Sequence, residues 1–177
     1  MNKQHINGDP LGESQILIAI QDVLYERPGI PAAARGLSHF GEHALGWMGI
    51  GAAGAMIARK SPAQRRSWLA VVAAALSSHA ASVILKRVVR RPRPHAQEIR
   101  IGVGTPSKLS FPSSHATSTT AAAIAISRAL KNKTPLGIIP IMMASRMVLG
   151  VHYPSDVLAG AALGATSAVA VQRIMEK

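Results

Sequence analysis

Five apolar stretches, at residues 37–58, 68–85, 114–130, 135–150 and 154–175, are separated by short segments that carry most of the chain's charge. A helix needs ~20 mostly apolar residues, at 1.5 Å per residue, to cross ~30 Å of hydrocarbon, and the stretches are close to that length. Only 16% of the 177 residues are charged, against ~25% in ordinary soluble domains. The pattern predicts an all-α, multi-pass membrane helical bundle of about five transmembrane helices, with a soluble alanine-rich bundle as the alternative. The net charge of +12 does not mark a disordered basic tail, because such tails are poor in apolar residues. Without cysteine, a disulfide-stapled secreted module is excluded.

Residues 1–36 read as an N-terminal segment and 37–177 as the membrane bundle. Residues 1–15 hold Lys3, Asp9 and Glu13 and no apolar run, so no cleavable secretory signal is expected there. In 14–26, Ile16, Leu17, Ile20, Val23 and Leu24 recur at helical spacing opposite Gln15, Gln21, Asp22 and Glu26, which predicts an amphipathic helix lying on the membrane surface. Ser61-Pro62-Ala63-Gln64 is a capping box that starts the second helix before its apolar run. Thr134 reads as the cap of the fourth helix and Pro140 as its kink. The Gly160/Gly164 pair and the glycines at 46, 49, 51 and 54 allow close helix packing, within the chain or in a homo-oligomer.

If five helices cross, residues 1–36, 86–113 and 150–154 fall on one side, and that side collects the chemistry. Lys86, Arg93 and Arg146 offer charge-assisted hydrogen bonds to a phosphoryl group, the arginines through bidentate forks. Arg146 sits among Met142, Met143, Met147, Val148 and Leu149, where a cation is costly unless it faces a polar cavity or a partner. Pro112-Ser113-Ser114-His115 opens a helix whose free N–H groups point at the same oxygens. Of His115 and His152, one can attack phosphorus and the other can protonate the leaving alkoxide, and Asp156 follows His152 by four residues, within reach of its imidazole.

These residues form three motifs: Lys86 through Arg93-Pro94 as K-x6-RP, Pro112-Ser113-Ser114-His115 close to PSGH, and Ser145-Arg146, His152 and Asp156 as SR-x5-H-x3-D. The set resembles the type 2 phosphatidic acid phosphatase superfamily, with Ser114 in place of the usual glycine. The resemblance implies metal-independent hydrolysis without a cofactor: His152 as nucleophile, Asp156 stabilising its imidazolium, His115 as acid and then base, and Lys86, Arg93, Ser113, Ser114 and Arg146 holding the phosphate. Through residues 38–43 and 102–123 the chain is also similar to a branch of small actinobacterial members acting on decaprenylphosphoryl-5-phosphoribose. That implies removal of a terminal phosphate from a phosphorylated polyprenyl lipid in cell-wall arabinan synthesis. Phosphatidylglycerophosphate, phosphatidic acid and undecaprenyl diphosphate are the alternative substrates, and a non-catalytic lipid-binding membrane protein is the alternative of another class.

His39-Phe40-Gly41-Glu42-His43 also matches the inverted zinc pattern H-x-x-E-H, but only Glu98 and Glu176 remain downstream as further glutamates. His39, Glu42 and His43 read instead as headgroup contacts at the mouth of the first helix, or as structural. His79 reads as an interhelical hydrogen-bonding residue. His5 and His95 belong to no constellation. Arg87, Arg90 and Arg91 read as contacts to membrane lipids rather than nucleic acid, since no aromatics interleave them. Nine Lys and Arg fall on the side away from the site and eleven on its own side, so charge does not set orientation. The resemblance favours the outer face, where most relatives act.

Overall fold

The computed structural model describes Asp9 and residues 11–175, so Lys3, His5, Glu176 and Lys177 lie outside the described residues. The α-helices are α1 (Ser14–Leu24), α2 (Ile30–Phe40), α3 (Leu45–Ile57), α4 (Pro62–Val89), α5 (Ser114–Ala129), α6 (Ile138–Val148) and α7 (Pro154–Met175). Among the described residues the sole β pairing is an isolated bridge between Pro92 and Leu109. The chain is all-α.

Helix α5 is the axis of the fold. Residues 116–123 are all buried, and α4, α7, α3 and α6 pack around them. Small side chains make that possible. A Cβ at Gly164 would lie 2.2 Å from the Thr117 carbonyl oxygen, and one at Gly160 would lie 2.7 Å from that of Ser113. The glycine pair on α7 is therefore occupied by α5 of the same chain. Likewise Gly54 receives the Trp68 ring and Gly51 receives Val72, whereas Gly49 faces open space. Ala44, Trp47, Val71, Ala74, Ala75, Ala121, Ala122, Ala125, Ile126 and Ala168 form the resulting core, and Trp47 Nε1 donates to Thr119 Oγ1 at 3.0 Å.

Helix length separates the elements. At 1.5 Å per residue, α4 spans ~42 Å and α7 ~33 Å, and both are long and apolar enough to cross a membrane. Helices α3, α5 and α6, with 13, 16 and 11 residues, fall short of ~20. Large apolar side chains still point outward, among them Ile57, Leu76, Ile84, Val88, Ile141 and Leu158.

Several local expectations need correction. The first apolar stretch is not one helix. It is broken at Gly41–Ala44, where His43 and Ala44 take φ values of 50° and 61°, and its first residues belong to α2, which hydropathy alone did not reveal. Thr134 does not cap α6; it opens a 3-10 turn, Thr134–Gly137, and is tied to Asn132 Oδ1. Pro140 lies in the first turn of α6, where its missing N–H disrupts no helical bond, so no kink is needed. Gln21, assigned to the polar outer face of α1, is buried: Nε2 donates to the Arg100 and Val148 carbonyls while Oε1 accepts from the Arg100 N–H. Ile16 and Val23 are exposed in its place. The Ser61 cap forms as expected, accepting from Gln64 N–H.

The α5–α7 contact leads to a stability test. Gly164→Val, driving a side chain into the Thr117 carbonyl, should destabilise the protein by about 1–3 kcal/mol or more. Gly49→Ala, in open space on a helix, should leave the melting temperature in detergent unchanged or slightly raised.

Candidate active site

The ends of α4, α5 and α6, together with the 90–113 and 149–153 connections, enclose a cavity of about 270 Å³. Lys86, Arg93, Ser114, His115, Arg146 and His152 line it, and so do Ser38, His39, Glu42, His43 and His79. The structure thus brings together six of the eight predicted catalytic and phosphate-binding residues, and the other two, Ser113 and Asp156, stand just behind the wall. Ser113 is fully buried, with its Oγ turned to the Ala116 N–H as the α5 cap, and its own N–H donates to the Asp156 carbonyl.

Main-chain carbonyls hold two of the cations in place. Lys86 Nζ donates to Leu109 O at 3.2 Å and to Ser110 O at 2.9 Å. Arg93 donates from Nε to Ser107 O at 2.8 Å and from Nη1 to Val151 O at 2.7 Å. A neutral acceptor satisfies a hydrogen bond without cancelling the charge. Burial lowers Arg93 only to about 10, so it stays cationic at neutral pH. Arg146 is 1% exposed, and its Nε and Nη1 have no hydrogen-bond partner. A buried guanidinium with two unmet donors is expensive unless an anion meets it.

His152 lies beside these cations. Its Nε2 is 3.1 Å from Arg93 Nη1, and because arginine has only donors, Nε2 must accept there and the ring proton sits on Nδ1. That Nδ1 faces Asp156 Oδ2 at 3.6 Å, longer than a hydrogen bond. Burial, with Arg93, Lys86 and Arg146 adding repulsion, holds His152 well below the usual imidazole range, so it is neutral with its Nε2 lone pair turned to the cation cluster. His115 Nε2 lies 2.9 Å from Ser38 O, and since a carbonyl only accepts, that nitrogen carries a hydrogen and leaves Nδ1 for proton exchange. Gly41 makes room for the ring: a Cβ there would lie 2.8 Å from His115 Cδ2.

A second layer was not visible in the sequence. Asp156 is fully buried; Oδ2 accepts from Tyr153 N–H at 2.8 Å and Oδ1 from Arg91 Nη1 at 3.0 Å. Arg91 also donates to Glu13 Oε2 at 2.9 Å and lies 4.1 Å over the Tyr153 ring. Glu13 in turn accepts from the Ser155 N–H and Oγ, both at 2.6 Å. Asp9 receives the N–H groups of Glu13 and Ser14; burial opposes its charge, but these bonds and Arg91 keep it below the usual carboxylate range. The reading of Arg91 as a lipid contact is therefore corrected: its side chain is 11% exposed and committed to two carboxylates. Arg87 and Arg90 remain exposed. His79 is corrected as well. It lines the cavity with Nδ1 unpartnered, a placement foreshadowed by its position seven residues, two helical turns, before Lys86. Among the described residues, no three His, Asp or Glu side chains converge to hold a metal ion.

The motif residues, gathered around one cation-lined cavity in a helical bundle, accord with a family match: residues 67–177 fit the PAP2 superfamily, and the chain belongs to it. Among its relatives, the decaprenylphosphoryl-5-phosphoribose phosphatase of Mycolicibacterium smegmatis is 55% identical over 151 residues, covering 85% of this chain and 82% of that protein. The protein of the same name from Mycobacterium tuberculosis is 50% identical over 165 residues, covering 93% of this chain and 92% of that one. In fold, the chain matches the crystal structure of a PAP2-type phosphatidylglycerolphosphate phosphatase from Bacillus subtilis, with a TM-score of 0.71, 23% identity and coverage of 97% and 88%. Aquifex aeolicus LpxE matches with a TM-score of 0.68, 16% identity and coverage of 90% and 94%.

Removing Arg91 would strand two buried carboxylates. Arg91→Met should cost about 3–5 kcal/mol of stability, and adding Glu13→Gln should restore part of it, as read from thermal melts in detergent.

Proposed function

We propose that this PAP2 phosphatase removes the terminal phosphate of a phosphorylated polyprenyl lipid, converting decaprenylphosphoryl-5-phosphoribose to decaprenylphosphoryl-ribose. The observation that carries the phosphate site is Arg146, buried with two unmet donors on the wall it shares with His152. The substrate rests on the 50–55% identical relatives of that name.

In this reading the phosphoryl oxygens lie among Lys86, Arg93, Arg146 and Ser114, while Ser113 fixes the start of α5 so that its dipole faces them. The His152 Nε2 lone pair forms a bond to phosphorus as the bond from phosphorus to the leaving oxygen breaks. His115, entering the step as an imidazolium, gives that oxygen its Nδ1 proton and keeps Nε2–H on the Ser38 carbonyl, and the sugar lipid departs as an alcohol. The imidazole of the phosphohistidine becomes cationic, and its Nδ1–H closes on Asp156 Oδ2, shortening the 3.6 Å gap toward ~3.0 Å. His115 then takes a proton from water, whose oxygen attacks phosphorus and breaks the P–N bond. Inorganic phosphate and neutral His152 are the products. Fixed cations at the developing charge supply most of the acceleration. His39, Glu42 and His43 contact the headgroup.

Residues 37–177 form the membrane bundle, with 1–36 as the N-terminal segment and the shorter helices crossing together with their flanking turns. The outward apolar side chains of α3, α4, α6 and α7 support burial in lipid. The site opens at the outer face.

Phosphate release by detergent-solubilised protein, measured side by side on decaprenylphosphoryl-5-phosphoribose, phosphatidylglycerophosphate, phosphatidic acid and undecaprenyl diphosphate, tests the substrate; preference for any of the last three overturns it. His152→Ala should abolish turnover, and Arg146→Ala should lower kcat by roughly 10²–10³. His115→Ala should keep part of its activity on esters with good leaving groups, and EDTA should leave activity intact. Normal hydrolysis by His152→Ala rules out the mechanism. Because the chain has no cysteine, Gln97→Cys and Ala63→Cys report orientation: an impermeant maleimide on intact cells should label the first and spare the second, and the reverse places the site inside.

A further inference from the structure

The phosphate end occupies only part of the cavity, and the remaining wall has its own chemistry. His79 lies two turns before Lys86 on the same face of α4, about 10 Å along the axis toward the middle of the bundle. Its Nδ1 is buried and has no partner. The His43 ring stands 5.7 Å away, at 71° to it. His43 is held there by strained backbone: it and Ala44 are consecutive non-glycine residues in the left-handed region, which is rarely occupied except where a site demands it. Neither imidazole has a place in the hydrolytic steps.

A lipid whose phosphate is held at Lys86 has its tail in the bilayer. The part that joins the two must pass the wall below the cations, where His43 and His79 stand. A neutral imidazole offers one donor and one acceptor, the complement of a hydroxyl, which also does both. The esterified glycerol of phosphatidic acid offers acceptors alone. We propose that His43 and His79 form a subsite for the hydroxylated part of the leaving alcohol, which makes the cavity selective for a phosphorylated sugar lipid over a phosphorylated glycerolipid. The inference rests on the phosphatase reading above and adds the residues that choose the substrate.

The test is the ratio of kcat/KM on farnesylphosphoryl-ribose 5-phosphate to kcat/KM on phosphatidic acid, measured in the same detergent. Wild type should favour the sugar lipid. His43→Gly and His79→Leu should each reduce the ratio at least tenfold, because a site built to bond a hydroxyl loses discrimination when its polar groups are removed. His79→Gln, which keeps a donor and an acceptor, should retain part of the preference. His43→Gly should melt no lower than wild type, since glycine adopts the left-handed conformation freely, so its loss of preference is not a loss of folding. An unchanged ratio in either His43→Gly or His79→Leu, including equal losses on both lipids, overturns the subsite while leaving the phosphatase reading intact. A wild-type protein that releases phosphate from neither lipid overturns both.

Discussion

Three cations facing one cavity, Lys86 and Arg146 buried and Arg93 half-buried, with little negative charge to answer them, are the constraint from which the rest of the architecture follows. Of the nearby carboxylates, Glu42 lines the cavity, and Asp156 stands behind its wall with Oδ1 already engaged by Arg91. Lys86 and Arg93 are held instead by the carbonyls of Ser107, Leu109, Ser110 and Val151. This explains why the 90–113 connection, with little regular structure, folds down over the helix ends: it must deliver oxygens. Dipoles anchor the cations without neutralising them, and Arg146 is left with donors that only an anion of the right size can use. The repulsion among these groups costs stability in the resting protein, and an entering anion would relieve it, the usual trade at a preorganised charged site.

Such a site needs a rigid base, and close packing of small residues provides one. Helix α5 is surrounded, and α7 approaches near enough for Gly160 and Gly164 to touch its backbone. With the start of α5 fixed by the Ser113 cap and by the bond from its N–H to the Asp156 carbonyl, the helix that carries His115 and the one that carries Asp156 cannot move independently. The low mean hydropathy of +0.20 follows from the same choice: alanine and glycine contribute less to hydropathy than leucine but allow the backbones to meet.

Much of this was legible in the sequence. The motif residues, the starts of α4, α5 and α7, and the capping role of Ser61 could be read because each depends on local spacing or on a motif within one stretch. What escaped depends on contacts across the chain. Nothing near Glu13 or Arg91 announces that they meet, and a cation in a basic run reads naturally as a lipid contact. Gln21 followed the polar face of its own helix, but the carbonyls it serves, those of Arg100 and Val148, lie far away in sequence. The break at Gly41–Ala44 was hidden because it turns on left-handed backbone at His43 and Ala44, and neither residue type announces that conformation. His79 was a different kind of miss: its two-turn offset from Lys86 was available.

The Glu13–Ser155 contact joins residues 142 positions apart, and this bears on how the protein is made. Glu13 leaves the ribosome early, whereas Ser155 and Asp156 emerge only after α1 to α6. Until then the arginine that is to hold Asp156 has no aspartate to hold, and the Nδ1 side of His152 faces no carboxylate. A partly synthesised chain can form its helices one after another, yet the contacts behind the cavity stay open. The Glu13–Arg91–Asp156 network therefore closes late in synthesis, when the helices before it are already made.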